Sequence, residues 1–201
     1  MVITAEQFAT GMTMDEYIAQ MSQNGVQFAA NIAAAPVTPG DVARFAALPE
    51  PVNALVITED WCGDSLAHLP VLFRLARESG DRINVRVFKR DEHRDLAAQF
   101  PMATGRVAIP IIAFFDGGMH KLGEFLERPQ AGHRETAAFM DDFFARHPDL
   151  GTSGQPIGAL TPEARQTLFV ELGPWRKGRV DAWNRAAIAE LSEAIAAPVT
   201  A

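Results

Sequence analysis

Residues 52–70, VNALVITEDWCGDSLAHLP, constrain the fold of this chain more than any other stretch. Val52 to Thr58 is a short apolar run rich in Val and Ile, of the length of a buried strand. Glu59-Asp60-Trp61-Cys62-Gly63 forms a polar elbow. From Asp64 to Ser79 the apolar residues fall into helical spacing, with Leu66, Leu69, Leu72, Phe73 and Ala76 on one face. The only cysteine, Cys62, therefore sits where a strand hands over to a helix N-terminus. Unpaired backbone N–H groups and the helix dipole favour negative charge there, so a stabilised thiolate is the expectation.

The chain around this unit reads as alternating strands and helices. Thr13-Met14-Asp15-Glu16 is a capping box that opens a helix to about Gln23, with Met14, Tyr17, Ile18 and Met21 on its apolar face. Thr38-Pro39-Gly40-Asp41 starts a second helix, closed before the Val52 strand by Pro49 and Pro51. Ile83 to Lys89 is a strand whose pattern predicts cover on both faces. Two strands flanking a helix of this length predict a parallel pair. Glu92 to Phe100 reads as a short helix, and Asp116-Gly117-Gly118 as a hairpin turn leading into Met119–Phe125; its first strand, Ile111–Phe115, is assigned with the resemblance given below. His133 to Arg146 is amphipathic. Beyond the linker-like 151–158, Thr161 opens a helix that Gly173-Pro174 is expected to stop. Val180, Trp183, Ala187, Leu191 and Ile195 make a final stripe, whose Trp183 predicts packing back on the domain.

Composition narrows the function classes. The 201 residues are 48% hydrophobic, enough for a proper core, and carry a net charge of −7 without a Lys/Arg stripe. A nucleic-acid partner is not expected. No run approaches the ~18 apolar residues of a membrane span, and the N-terminus lacks signal-peptide features. A single cysteine excludes an internal disulfide and suits a reducing compartment, so the expected location is the cytoplasm.

Trp61-Cys62-Gly63-Asp64-Ser65, with Pro70 eight residues after the cysteine, resembles the active-site segment of thioredoxins, which read Trp-Cys-Gly-Pro-Cys. Gly105 to Gly118, with Ile109-Pro110 at its centre, resembles the thioredoxin strand that begins with a cis-proline. The resemblance covers about residues 50–146, and the element order agrees with it. It implies an α/β, thioredoxin-like mixed β-sheet flanked by helices. Residues 1–50 then form an N-terminal helical extension, 51–149 the thioredoxin-like domain, and 150–201 a C-terminal helical extension packing on that domain. The Cys-Gly-Asp-Ser pattern is similar to that of a single-cysteine bacterial subfamily. The departure lies at Ser65, which stands where thioredoxins have the resolving cysteine.

What the resemblance implies chemically is monothiol thiol–disulfide exchange. Cys62 would be the nucleophile, tuned by Ser65 and Asp64, while Trp61, Gly63, Ile109 and Pro110 would shape a groove for an extended peptide. Protein or glutathione thiols and disulfides would be the partners, and the resolving thiol would come from outside. The alternative is a non-catalytic module that keeps the groove without turnover, and a lone cysteine is also compatible with a buried structural role. Glu59, Asp60 and Asp64 oppose the helix dipole, because like charges disfavour a thiolate. Asp64 and His68 share a helix face near Cys62. With one His, one Cys and one carboxylate, the expectation is a solvated face and no metal or cofactor. Arg90-Asp91 reads as a salt-bridged strand end.

Overall fold

A computed structural model describes residues 2–196. Its centre is β1 (Val52–Thr58), which lies between β2 (Ile83–Lys89) and β3 (Ile111–Phe115). With β4 (Lys121–Leu126) the sheet runs β2-β1-β3-β4, parallel between β1 and β2 and antiparallel elsewhere. Strand side chains alternate between faces, so each central strand feeds two cores. Ala54, Val56, Ile112 and Phe114 join one, and Leu55, Ile57, Ile111, Ala113 and Phe115 the other. Burying a side chain such as Phe114, which is fully inaccessible, contributes about 2 kcal/mol.

The first core lies under helices. α1 (Ala5–Ala9), α2 (Met14–Gln20), α3 (Gly25–Ala34) and α4 (Pro39–Ala46) precede the sheet, and α5 (Gly63–Glu78) connects β1 to β2. Leu69, Leu72, Phe73 and Ala76 of α5 are buried there, and Phe73 meets Tyr17 and Phe28 edge to face. Both expected caps are present: Thr13 pairs with Glu16, and Thr38 with Asp41.

Several expectations need correction. β2 is covered on its second face only near its end: Phe88 is buried, whereas Asn84 is exposed and Arg86 only partly covered. The helix expected over 92–100 shrinks to α6 (Arg94–Ala97), whose capping residue His93 makes no side-chain cap bond. Two helices went unread. α1 carries a Thr4–Gln7 capping box of the same type as Thr13–Glu16. α3 starts from Asn24 in a left-handed conformation without a side-chain cap, so its start leaves no ordinary sequence mark.

After the hairpin come α7 (Gln130–Arg146), a 3₁₀ turn at Ile157–Ala159, α8 (Pro162–Lys177) and α9 (Val180–Ala196). The expected stop at Gly173-Pro174 does not occur. A helical proline leaves one carbonyl four residues back without its partner. That residue is Val170, which is exposed, so its carbonyl is not forced into a dry core and α8 continues for another turn. α8 packs on α7 through Leu168, Leu172, Phe143 and Phe144. α9 lies across β4 and α5, so close that a Cβ on Gly123 would fall 2.4 Å from the Ala194 carbonyl oxygen. The expected C-terminal extension ran to 201, and its last five residues lie outside the described part.

Candidate functional site

The site forms where β1 ends. Cys62 is the N-cap residue of α5, extended in backbone, so its sulfur stands beyond the first helical turn. Its Sγ donates to the Ile109 carbonyl oxygen at 3.4 Å, and the Ile109-Pro110 peptide is cis. The two sequence segments singled out above, 48 residues apart at Cys62 and Pro110, thus meet at one point. Trp61 stands beside them 45% exposed, with the Arg90 guanidinium 5.1 Å from its ring centre. Arg90 also pairs with Asp91, as the sequence suggested. Gly63 is exposed, and a Cβ there would meet nothing within 4 Å, so the space before the elbow is open.

Cys62 itself is only 8% exposed. Burial pushes its thiol up from the ordinary value, against hydrogen bonds from the Ser65 hydroxyl and from the Ser65 and Asp64 backbone N–H groups. The sequence sets the helix N-terminus against three nearby acids without ranking them; burial, which that reading does not weigh, is the largest influence. Ser65 is buried too, and its Oγ accepts from Thr58 Oγ1 at 2.7 Å. Tyr17 lies behind this pair, its hydroxyl buried without a hydrogen-bond partner and its ionisation suppressed chiefly by burial.

The three acids of the elbow are committed elsewhere. Glu59 is buried and its Oε1 accepts from the Asp91 N–H at 2.7 Å. Asp60 Oδ2 accepts from Ser22 N–H at 2.7 Å, Ser22 Oγ at 3.0 Å and Gln23 N–H at 3.1 Å, tying the N-terminal helices to the site. Burial works to raise the Asp60 carboxyl, but these hydrogen bonds outweigh it and hold it below the usual range. Asp64 pairs through Oδ2 with Arg128 at 2.7 Å and through Oδ1 with Arg176.

The solvated face expected for Asp64 and His68 is absent. Both are buried, because α8 and α9 cover them. His68 Nδ1 bonds Asn184 Oδ1 at 2.8 Å, and its ring lies near Phe125 and Trp183. Among the described residues, no group of three or more His, Cys, Asp or Glu side chains is arranged to hold a metal ion. Sequence reasoning missed the cations. Arg128 also contacts Glu127 Oε1 at 3.1 Å, and Arg106 grips Glu127 through two nitrogens at 2.7 and 3.1 Å. Glu127 N–H donates to the Pro110 carbonyl at 2.8 Å, which brings this ion-pair chain against the cis-proline. Burial tends to raise the Glu127 carboxyl, but Arg106 and Arg128 hold it below the usual range. Glu127-Arg128 could have been suspected at the end of the strand paired to the Pro110 strand. Nothing in the sequence marks Arg176.

Comparison with known proteins agrees with this geometry. A solved protein of unknown function from Pseudomonas aeruginosa is similar in fold, with a TM-score of 0.64 at 17% identity over 96% of this chain and 98% of the other. A designed HIV epitope scaffold is similar at a TM-score of 0.61 and 17% identity, with the same coverage. Both likenesses concern the fold. No curated protein matches. A family model described as thioredoxin matches residues 11–140, well over half the chain and both halves of the site. The chain belongs to the thioredoxin family.

Proposed function

We propose that this protein carries out monothiol thiol–disulfide exchange at Cys62, on a single-cysteine version of the family's site. The observation that carries the reading is the Cys62 sulfur at the start of α5, in contact with the Ile109 carbonyl beside cis-Pro110. The Cys62 thiolate attacks one sulfur of a substrate disulfide. A mixed disulfide forms, and the other substrate sulfur leaves as a thiolate that takes up a proton. Ser65 has no thiol to attack the mixed disulfide, so a glutathione-type thiolate from outside displaces Cys62 and becomes the new partner in the disulfide. Ser65 Oγ and the α5 N–H groups stabilise the Cys62 thiolate as it leaves. Trp61 and the Ile109 backbone would align the substrate, Gly63 would leave room for it, and the cytoplasm, with its reducing pool, would be the setting. No described helix is long and apolar enough to cross a membrane.

A second reading, a binding module without turnover, is favoured by the burial of the sulfur and by its raised pKa. One experiment separates the two. Native protein incubated with glutathione disulfide should gain one glutathione on Cys62 by intact mass, and reduced glutathione should remove it. No adduct on native protein, with full reaction after unfolding, would assign the groove to binding alone.

A further inference from the structure

Arg176 lies on the turn of α8 that follows Pro174, in a part of the chain beyond the family match at residues 11–140. It nevertheless reaches Asp64, two residues from Cys62, and the Asp64 side chain is 10% exposed. We propose that Arg176 is a positioning residue of the Cys62 site, supplied by the C-terminal helices, and that it acts through Asp64. The proposal rests on the thiol reading above.

Asp64 is the second helical residue of α5, two positions after the capping cysteine, and its charge works against the thiolate. A free carboxylate oxygen there would accept the Cys62 S–H and hold the sulfur protonated, besides repelling the thiolate directly. Arg128 engages one oxygen of Asp64 and Arg176 the other, so neither is left for the thiol. The other charged and titratable groups that face this point are fixed. Glu59 is held by Asp91 and Asp60 by Ser22 and Gln23. Tyr17 from α2 and His68 from α5 are buried, and each is strongly disfavoured from carrying a charge. Glu127 is gripped by Arg106 and Arg128, with His133 of α7 3.7 Å away. Asp64 is therefore the acid whose orientation decides the charge felt by the sulfur. In the chain Arg176–Asp64–Arg128–Glu127–Arg106, each of the two carboxylates is engaged by two guanidiniums.

The test is a thiolate ultraviolet-absorbance titration of the full chain, with Cys62→Ser as blank. It follows the single thiol without requiring a reagent to reach it. Arg176→Gln should lower the thiolate fraction at the wild-type midpoint by about threefold, the size expected when one carboxylate oxygen beside the thiol is freed. In an Asp64→Asn background the same change should have little effect, which is the signature of action through Asp64. Arg176→Lys keeps the charge without the fork and should fall between, and urea unfolding checks that each variant is folded. Equal shifts in both backgrounds, or no shift in either, would overturn the proposal. The glutathione adduct assay is separate, so failure of Cys62 to exchange disulfides is distinguishable from failure of Arg176 to act.

Discussion

His68 and Asn184, far apart in the chain, share a buried hydrogen bond of 2.8 Å that joins α5 to α9. With its proton on Nδ1, the ring is neutral and leaves Nε2 buried without a partner. Burial lowers its pKa to about 4, against the opposing hydrogen bond that it donates to Asn184.

This lowering sets a pH dependence of stability. Between about 6.5 and about 4 the unfolded chain binds a proton at His68 that the folded chain refuses, so stability is lost as pH drops through that window and regained as it rises. The full effect is about 3 kcal/mol. His68→Gln cannot titrate. Urea unfolding at pH 7 and pH 4.5 should show the variant losing less stability than wild type by a sizeable part of that amount. Equal losses would mean that another group controls the window.

Cys62 should react slowly in the native state. Burial both hides the sulfur and raises its pKa, so alkylation at neutral pH should be at least about tenfold slower than in unfolded protein. The native rate should still be climbing at pH values where a free thiol has levelled off. Ser65→Ala removes a hydrogen bond that favours the thiolate and should slow the reaction further. A native profile matching that of the unfolded chain would contradict the assignment.

Ser65→Cys should add the missing second thiol. Position 65 is buried behind Cys62, and the larger sulfur also loses the bond accepted from Thr58, at a cost of about 1 kcal/mol. If the fold holds, the variant should form a disulfide between Cys62 and the introduced thiol. It should also gain turnover in a dithiol-recycled protein-disulfide reduction that wild type lacks. A folded variant without that gain would argue for the binding module.

Gly123→Ala probes the seat of α9 on β4. The new Cβ would lie 2.4 Å from the Ala194 carbonyl oxygen, and both partners are backbone. The helix must shift, at a cost of about 2–3 kcal/mol, visible as a lower urea midpoint. Because α9 carries Asn184 and Trp183, fluorescence of the buried indole should change as well.

The central sheet was legible because its signals are local. The apolar run at 52–58 and the Gly-rich turn between hairpin strands appear where the pattern put them, and the 111–115 strand where the family resemblance put it. Cys62 and Pro110 could be paired only because two separated motifs resemble one family. The surroundings of Asp64 were not legible. Its partners lie 64 and 112 positions away, and only packing of α8 brings Arg176 close. A carboxylate next to a cysteine was therefore read as a free charge, when two guanidiniums occupy its oxygens. The same blindness made a covered helix face look solvated at His68. α3 escaped for a different reason: a helix starting from left-handed Asn24 lacks the side-chain cap from which starts are read.

Because α8 does not break at Pro174, it is a single rod of about 24 Å from Pro162 to Lys177. Phe169 and Val170 project from its middle into solvent, and Arg176 sits near its far end. A stiff helix transmits displacement along its length, whereas a loop after Gly173 would absorb it. Any force on that exposed apolar pair would therefore be felt at Asp64, two residues from Cys62, with α8 as the lever.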